Sequence, residues 1–172
     1  MSVDGDDAFL LADKNLDCQP YNKEYTHVTW ETCSVRNWLN NAFLNNAFTE
    51  EEQCAIQVTK IRYNYTSINT TEDKIYLLSP SESLTLNYGF SSKVDKTETR
   101  MAKNTPYATA QGTFTSDLGN GTWWLRYSDS SHASWVSNYG RCYEEDNLKV
   151  PVDSTDIAVR PALHLNLSSS EW

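Results

Sequence analysis

Two apolar pieces, Trp123-Trp124-Leu125-Arg126 and Ala158-Val159-Arg160-Pro161-Ala162-Leu163, constrain the fold of this 172-residue chain more than anything else in it. The first has strong strand propensity and two adjacent indoles that must find an interior. The second reads as part of a final strand from Ile157 to Leu167. Pro161 cannot donate to a ladder, so it has to sit at a bulge or a strand edge. Between the two pieces the character changes: 12 of the 21 residues from Tyr127 to Asn147 are Ser, Tyr, Asn or Asp, against 43 of 151 elsewhere. Tyr offers stiff amphipathic area and the small polar residues adapt their hydrogen bonds, which is the mixture that binding loops use. A wet loop that binds nothing has the same composition.

The rest of the chain supplies a frame for that run. Ala8-Phe9-Leu10-Leu11-Ala12 predicts a strand inside a sheet, because it is apolar on both faces. Thr32-Cys33-Ser34-Val35-Arg36 opens a helix with Thr32 or Ser34 as cap, and Val35, Trp38, Leu39, Ala42 and Phe43 recur at helical spacing. Thr49-Glu50-Glu51-Glu52 is a capping box, which gives the glutamates a structural role and no catalytic one. Residues 58 to 72 predict an extended segment and a polar loop. Lys74 to Leu78 predicts a strand, and Ser79-Pro80-Ser81-Glu82 a capped, brief helix. A further helical signal runs from Glu98 to Lys103, with Pro106 interrupting it. Ala133 to Ser137 predicts a strand that turns near Asn138-Tyr139-Gly140 and returns antiparallel through Arg141-Cys142-Tyr143. Short helices first and hairpins later describe a single α+β domain over residues 1–172, short helices packed on a small, mostly antiparallel sheet with long loops.

Bulk numbers narrow the function. A net charge of −9 opposes nucleic acid, which is held by clustered Lys and Arg, and equally opposes an anionic membrane surface. No stretch approaches the roughly 20 apolar residues of a membrane span. Nothing near Met1 reads as a signal peptide, and the abrupt start also fits an excised domain. Cys18, Cys33, Cys54 and Cys142 have no close pairing, so a zinc knuckle is disfavoured; free thiols are the reading, with three disulfide connectivities formally open. His27, His132 and His164 form no metal or hydrolase motif. Cys142 with His132 is the least implausible nucleophile pair. Asp4-Gly5-Asp6-Asp7 is too short for a calcium loop. A binding module without cofactor or metal is expected in preference to an enzyme.

The blocks WETCSVRNWLNNAFLNNAF, FTEEEQCAI, DKIYLLSPSE, TWWLR and VRPALHLNL, in that order over almost the whole chain, resemble a bacterial domain family of unknown function. The family resembles the C-type-lectin-like fold in the variant shared with formylglycine-generating enzymes, which implies pairing of the runs at 8–12 and 158–167. The chain departs from the family after Arg126, where W-W-L-R-S-P-G gives way to Tyr127-Ser128-Asp129. It also lacks the calcium-dependent sugar signature of true C-type lectins and the paired-cysteine site of the formylglycine enzymes. The same fold variant carries the variable proteins of diversity-generating retroelements, including phage receptor-binding proteins. That resemblance implies a ligand-binding domain with a diversified C-terminal surface, on a bacterial cell surface, secreted, or on a phage virion. Its partner would be a protein or glycan on a cell surface, with no direct membrane insertion. The candidate contacts are Tyr127, Asp129, Ser130, His132, Ser134, Asn138, Tyr139, Arg141 and Tyr143, with Trp123, Trp124, Trp135, Arg126 and Arg160 as scaffold. A fixed carbohydrate- or cell-wall-binding module of a bacterial surface protein is the alternative.

Overall fold

The structure, a computed structural model, describes residues 2–62, 69–128, 130–144 and 148–169. Strands in the first half are β1 (Ser2–Asp4), β2 (Asp7–Leu11), β3 (Asp17–Cys18), β4 (Thr59–Arg62), β5 (Thr70–Asp73), β6 (Ile75–Tyr76) and β7 (Ala102–Lys103). The second half carries β8 (Asn120–Gly121), β9 (Trp123–Ser128), β10 (His132–Val136), β11 (Cys142–Tyr143), β12 (Val150–Pro151), β13 (Ala158–Val159) and β14 (Ala162–Asn166). Helices are few and short: α1 (Ser34–Trp38), α2 (Leu44–Ala47), α3 (Glu50–Ala55) and α4 (Pro106–Ala110), with a π turn at Leu39–Phe43 joining the first two.

The first apolar run pairs with the last. β2 lies antiparallel to β14 over five residues, in a sheet ordered β1-β2-β14-β6. The second sheet runs β11-β10-β9-β13-β3, and β13 beside β9 is the parallel pair among its described strands. Pro161 stands between the two sheets: the chain leaves β13 in one and enters β14 in the other, as a residue without an amide donor requires. Ala12 meets it there, donating its amide to the Pro161 carbonyl at 3.0 Å while its own carbonyl accepts from Arg160 Nε at 2.9 Å. Two further antiparallel pairs, β4–β5 and β7–β8, complete an α+β architecture of small, mostly antiparallel sheets.

The motif blocks turn out to grip one segment. Asp73 is 1 % exposed and accepts from Trp30 Nε1 at 2.9 Å, Arg36 Nε at 2.6 Å, Thr71 Oγ1 at 2.6 Å and Asn40 Nδ2 at 3.3 Å. A buried carboxylate with that many donors is held, not stranded. Asn40, inside the π turn, also accepts from the Lys74 amide and donates to the Ile75 carbonyl, both at 2.9 Å, so its amide acts as a short piece of neighbouring strand. Arg126 reaches the same segment from β9, as described below. Trp30, Trp123 and Trp124 are 0 % exposed at the centre of the core.

Several local expectations need correction. Cys33, not Thr32 or Ser34, is the N-cap of α1, and no side chain caps it; the following turn is held instead by Asn40 from within. Of the periodic apolar face, Val35 and Leu39 are buried while Ala42 is exposed. The segment from Lys74 to Leu78 forms only a two-residue strand. Pro106 starts a helix where an interruption was expected, with Thr105 Oγ1 accepting the Ala108 amide, because proline fits the first helical position. Glu98–Arg100 is a single 3-10 turn. Both capping boxes form: Thr49 with Glu52, and Ser79 with Glu82.

Candidate functional site

β9, β10 and β11 carry the polar and tyrosine run. β9 buries Trp123 to Arg126 and only Tyr127 among its described residues is part-exposed. Register between β9 and β10 slips between Ala133 and Trp135, a bulge in the ladder. Beyond β10, Ser137 accepts the Gly140 amide at 2.8 Å, closing the turn that presents Asn138 and Tyr139.

That turn is pinned from beneath. Arg100 is 0 % exposed and donates Nε to the Gly140 carbonyl at 2.8 Å, while its other nitrogens reach the carbonyls of Ser83, Ser91, Lys93 and Asp95. Burial pulls its pKa below the ordinary arginine value. One side chain thus ties the Asn138–Gly140 turn to the 91–95 loop. No pattern in the sequence marks Arg100 for this role.

Around the turn the structure brings four of the nine sequence-derived residues together. Tyr143 stacks on Trp135 with centroids 4.6 Å apart and planes 9° apart. Arg141 lies over the outer side of this pair, its guanidinium carbon 5.1 Å from the Tyr143 centroid. Tyr139 is 55 % exposed with the Lys96 ammonium 5.0 Å over its ring. Asn138 stands on a ridge, lining a cleft of about 390 Å³ on one side and a hollow of about 230 Å³ on the other. The cleft is walled by Trp135, Phe114, Ile157, Asp156 and Thr122. Thr122 is 8 % exposed, and its buried hydroxyl has no hydrogen-bond partner among the described residues; the same holds for Arg141 Nε. Phe114 and, in the smaller hollow, Leu118 are exposed apolar side chains on the rim.

The other residues stand apart from this group. Tyr127, half-buried, packs under the Lys149 ammonium at 4.3 Å. His132 sits at the far end of β10, opposite Pro151, with its ring edge-on to Tyr25 at 5.8 Å. The Ser130 hydroxyl accepts the His132 amide at 3.2 Å. Ser134 is a correction: it is 0 % exposed, inward on a central strand, and cannot be a surface contact. Asp129 lies outside the described residues. Trp135 is more than scaffold, since it donates Nε1 to the Leu148 carbonyl at 3.0 Å yet lines the cleft. Thr122, Phe114, Leu118 and Asp156 were missed, because they fall outside the compositional run and reach the cleft only through the fold.

Cys142 and His132 are not assembled as a nucleophile pair. Cys142 is opposite Val136, four residues and roughly 13 Å along β10 from His132. Burial pushes its thiol up to about 11, the opposite of activation. All four cysteines are free, with Cys54 the exposed one. Among the described residues no group of three His, Cys, Asp or Glu could hold a metal ion, and no helix is long and apolar enough to cross a membrane.

Residues 5–167 match a family described as Domain of unknown function (DUF6273). The chain belongs to the DUF6273 family. No curated protein and no solved structure matches it. The match spans both sheets and the candidate face alike, so in this DUF6273 member the frame and the recognition turn are parts of one domain.

Proposed function

We propose that this DUF6273 domain is a ligand-binding module of C-type-lectin-like fold, for receptor binding or adhesion, and that its contact face is the surface around Trp135, Asn138, Tyr139, Arg141 and Tyr143. The observation that carries the reading is the unpartnered Thr122 hydroxyl in a cleft walled by Trp135. A buried polar group without a partner costs free energy, and a ligand that supplies the partner recovers it. Stacked aromatics under an arginine, ringed by exposed apolar side chains, are the make-up of a binding hot spot. Support for the variable protein of a diversity-generating retroelement is the Ser, Tyr, Asn and Asp enrichment placed on a rigid frame, which tolerates exchange of solvent-facing residues.

The test is capture of bacterial surface protein by the purified domain, compared with Tyr139→Ala and Trp135→Ala. Tyr139→Ala is expected to keep the melting temperature within a few degrees, Trp135→Ala to lower it through the lost packing on Tyr143 while staying folded, and both to lose capture; full capture by both refutes the face. Sequencing the gene's surroundings tests diversification, which fails if neither a reverse transcriptase nor a near-copy of the 3′ end lies nearby. A fixed glycan-binding module is the second reading, favoured by a tryptophan beside Asn138 and the Asp156 carboxylate. Reproducible glycan-array binding that Trp135→Ala abolishes selects it.

A further inference from the structure

A separate hollow lies away from that face. It encloses about 440 Å³, within the range of small-ligand pockets, roughly 300–1,000 Å³. It opens between β4 and the β6 end of the first sheet, and it is walled by Arg126, Glu82, Tyr76, Tyr88 and His164 with Ser81 at its mouth. These residues come from β9, β6, β14 and the capped turn at 79–88, so no local stretch of sequence announces them.

The chemistry inside is closed with respect to charge and open with respect to hydrogen bonds. Arg126, whose side chain is 3 % exposed, forms an ion pair with Glu82 at 3.0 Å. Its Nε and Nη1 go to the carbonyls of Arg62 and Leu77. His164 has Nδ1 2.9 Å from Asp7, and its Nε2 makes no hydrogen bond among the described residues. Tyr76 is 3 % exposed, lines the hollow, and its hydroxyl makes no hydrogen bond among the described residues. Burial is the main cause that holds this phenol, and that of Tyr88, protonated, with Glu82 adding to it. Tyr88 is stacked on Phe9 on one face, centroids 4.1 Å apart, and lines the hollow.

We propose that this pocket binds a neutral, polyhydroxylated ring, a pyranose of one or two residues. Arg126 and Glu82 neutralise each other inside the pocket, while Lys60 and Arg62 are exposed on its rim, so the interior carries no net charge for an ion to pair with. A sugar hydroxyl donates and accepts at once, which suits a wall offering a carboxylate, a guanidinium, a phenol and an imidazole nitrogen. The ring of Tyr88 gives the apolar face of the sugar something to lie on. The site is separate from the Trp135 cleft and does not rest on the reading of that face.

Saturation-transfer NMR with glucose, galactose and N-acetylglucosamine, and inorganic phosphate as the charged probe, tests it. At least one sugar is expected to bind and phosphate is not. Tyr76→Phe removes only the unpartnered hydroxyl, so the fold is retained and binding weakens several-fold. Ser81→Phe, a plug at an exposed position, weakens it by about tenfold or more. Trp135→Ala leaves it unchanged, which separates failure here from failure of the recognition face. Binding of phosphate alone, binding of no sugar, or sugar binding that survives Ser81→Phe in a folded protein overturns the proposal.

Discussion

Arg126 and Arg141 each hold a guanidinium over a tyrosine ring, at 5.7 Å from Tyr76 and 5.1 Å from Tyr143, yet they belong to two kinds of territory. Around Arg126 the polar groups of the frame close on one another: two carbonyls and Glu82 take its donors, and Tyr21 donates its hydroxyl to the Arg126 carbonyl at 2.6 Å. Arg141 keeps an unpartnered Nε among the described residues, and in the cleft walled by Trp135 the Thr122 hydroxyl is unpartnered too. Arg160 is a mixed case in the frame, since Nε is satisfied by Ala12 while Nη1 has no partner, and burial lowers its pKa to about 10. For the two guanidinium groups themselves, the difference separates one whose donors the fold uses up from one with a donor left over.

The sharpest way to break that comparison is to remove each arginine. Arg126→Met leaves the part-exposed Glu82 and two carbonyls without their donor and is expected to cost about 3 kcal/mol. Arg141→Met, at a half-exposed site, is expected to cost no more than about 1 kcal/mol of stability while weakening ligand capture. Urea denaturation of both variants decides it, and equal losses would show that the two territories do not differ.

Gly140 is the next largest lever, because it holds the recognition turn to the frame. Its φ is +74° and a Cβ there would stand 2.0 Å from the Thr97 carbonyl oxygen, with backbone on both sides of the clash. Gly140→Ala is expected to cost roughly 2–3 kcal/mol from strain and displacement. Gly119, with φ +82° but nothing within 4 Å, is expected to lose only about 1 kcal/mol on the same change. Melting temperatures of the pair measure the gap. Ligand capture should fall for Gly140→Ala alone.

Much of the frame was legible in the sequence, and the reasons are local. Both capping boxes and the break at Pro161 follow from chemistry that neighbouring residues carry among themselves, whereas the β2–β14 partnership was implied by the family resemblance. The networks on Asp73 and Arg100 were not legible, since their donors and acceptors are tens of residues apart and only the fold makes them neighbours. The candidate face was half legible. Composition found Asn138, Tyr139, Arg141 and Tyr143, but it also admitted Ser134, because a central strand buries a serine as readily as an alanine. It could not find Thr122, which belongs to the frame in sequence and to the cleft in space.

Alkaline titration probes the closed territory. Burial pushes the Cys33 thiol up to about 12 and Cys142 up to about 11, and raises Tyr21 above its usual range. Each is protonated more firmly in the folded state, so its contribution is complete below the unfolded value, near 9 for a thiol, and is lost as pH rises toward the folded value. Each thiol is expected to remove about 1.4 kcal/mol per pH unit in that window. Cys33→Ala should flatten the slope measured by denaturation between pH 9 and 11. In a thiol-reagent assay of the native protein, Cys54 is expected to react first.

The smallest effect bears most directly on the cleft. Thr122 and Thr71 are both buried threonines, 8 % and 6 % exposed, and they differ in whether the hydroxyl is used. Thr71 Oγ1 donates to Asp73 at 2.6 Å, so Thr71→Val should cost about 1.5–3 kcal/mol, as for a bond to a charged group. Thr122 Oγ1 has no partner, so Thr122→Val replaces a stranded hydroxyl with a methyl of the same shape. It is expected to stabilise the domain by about 1 kcal/mol and to weaken ligand capture several-fold. A gain in stability with a loss of capture is the signature of a polar group kept for a ligand. A loss of stability matching that of Thr71→Val would place Thr122 in the frame and leave the cleft without the group that marks it as a site.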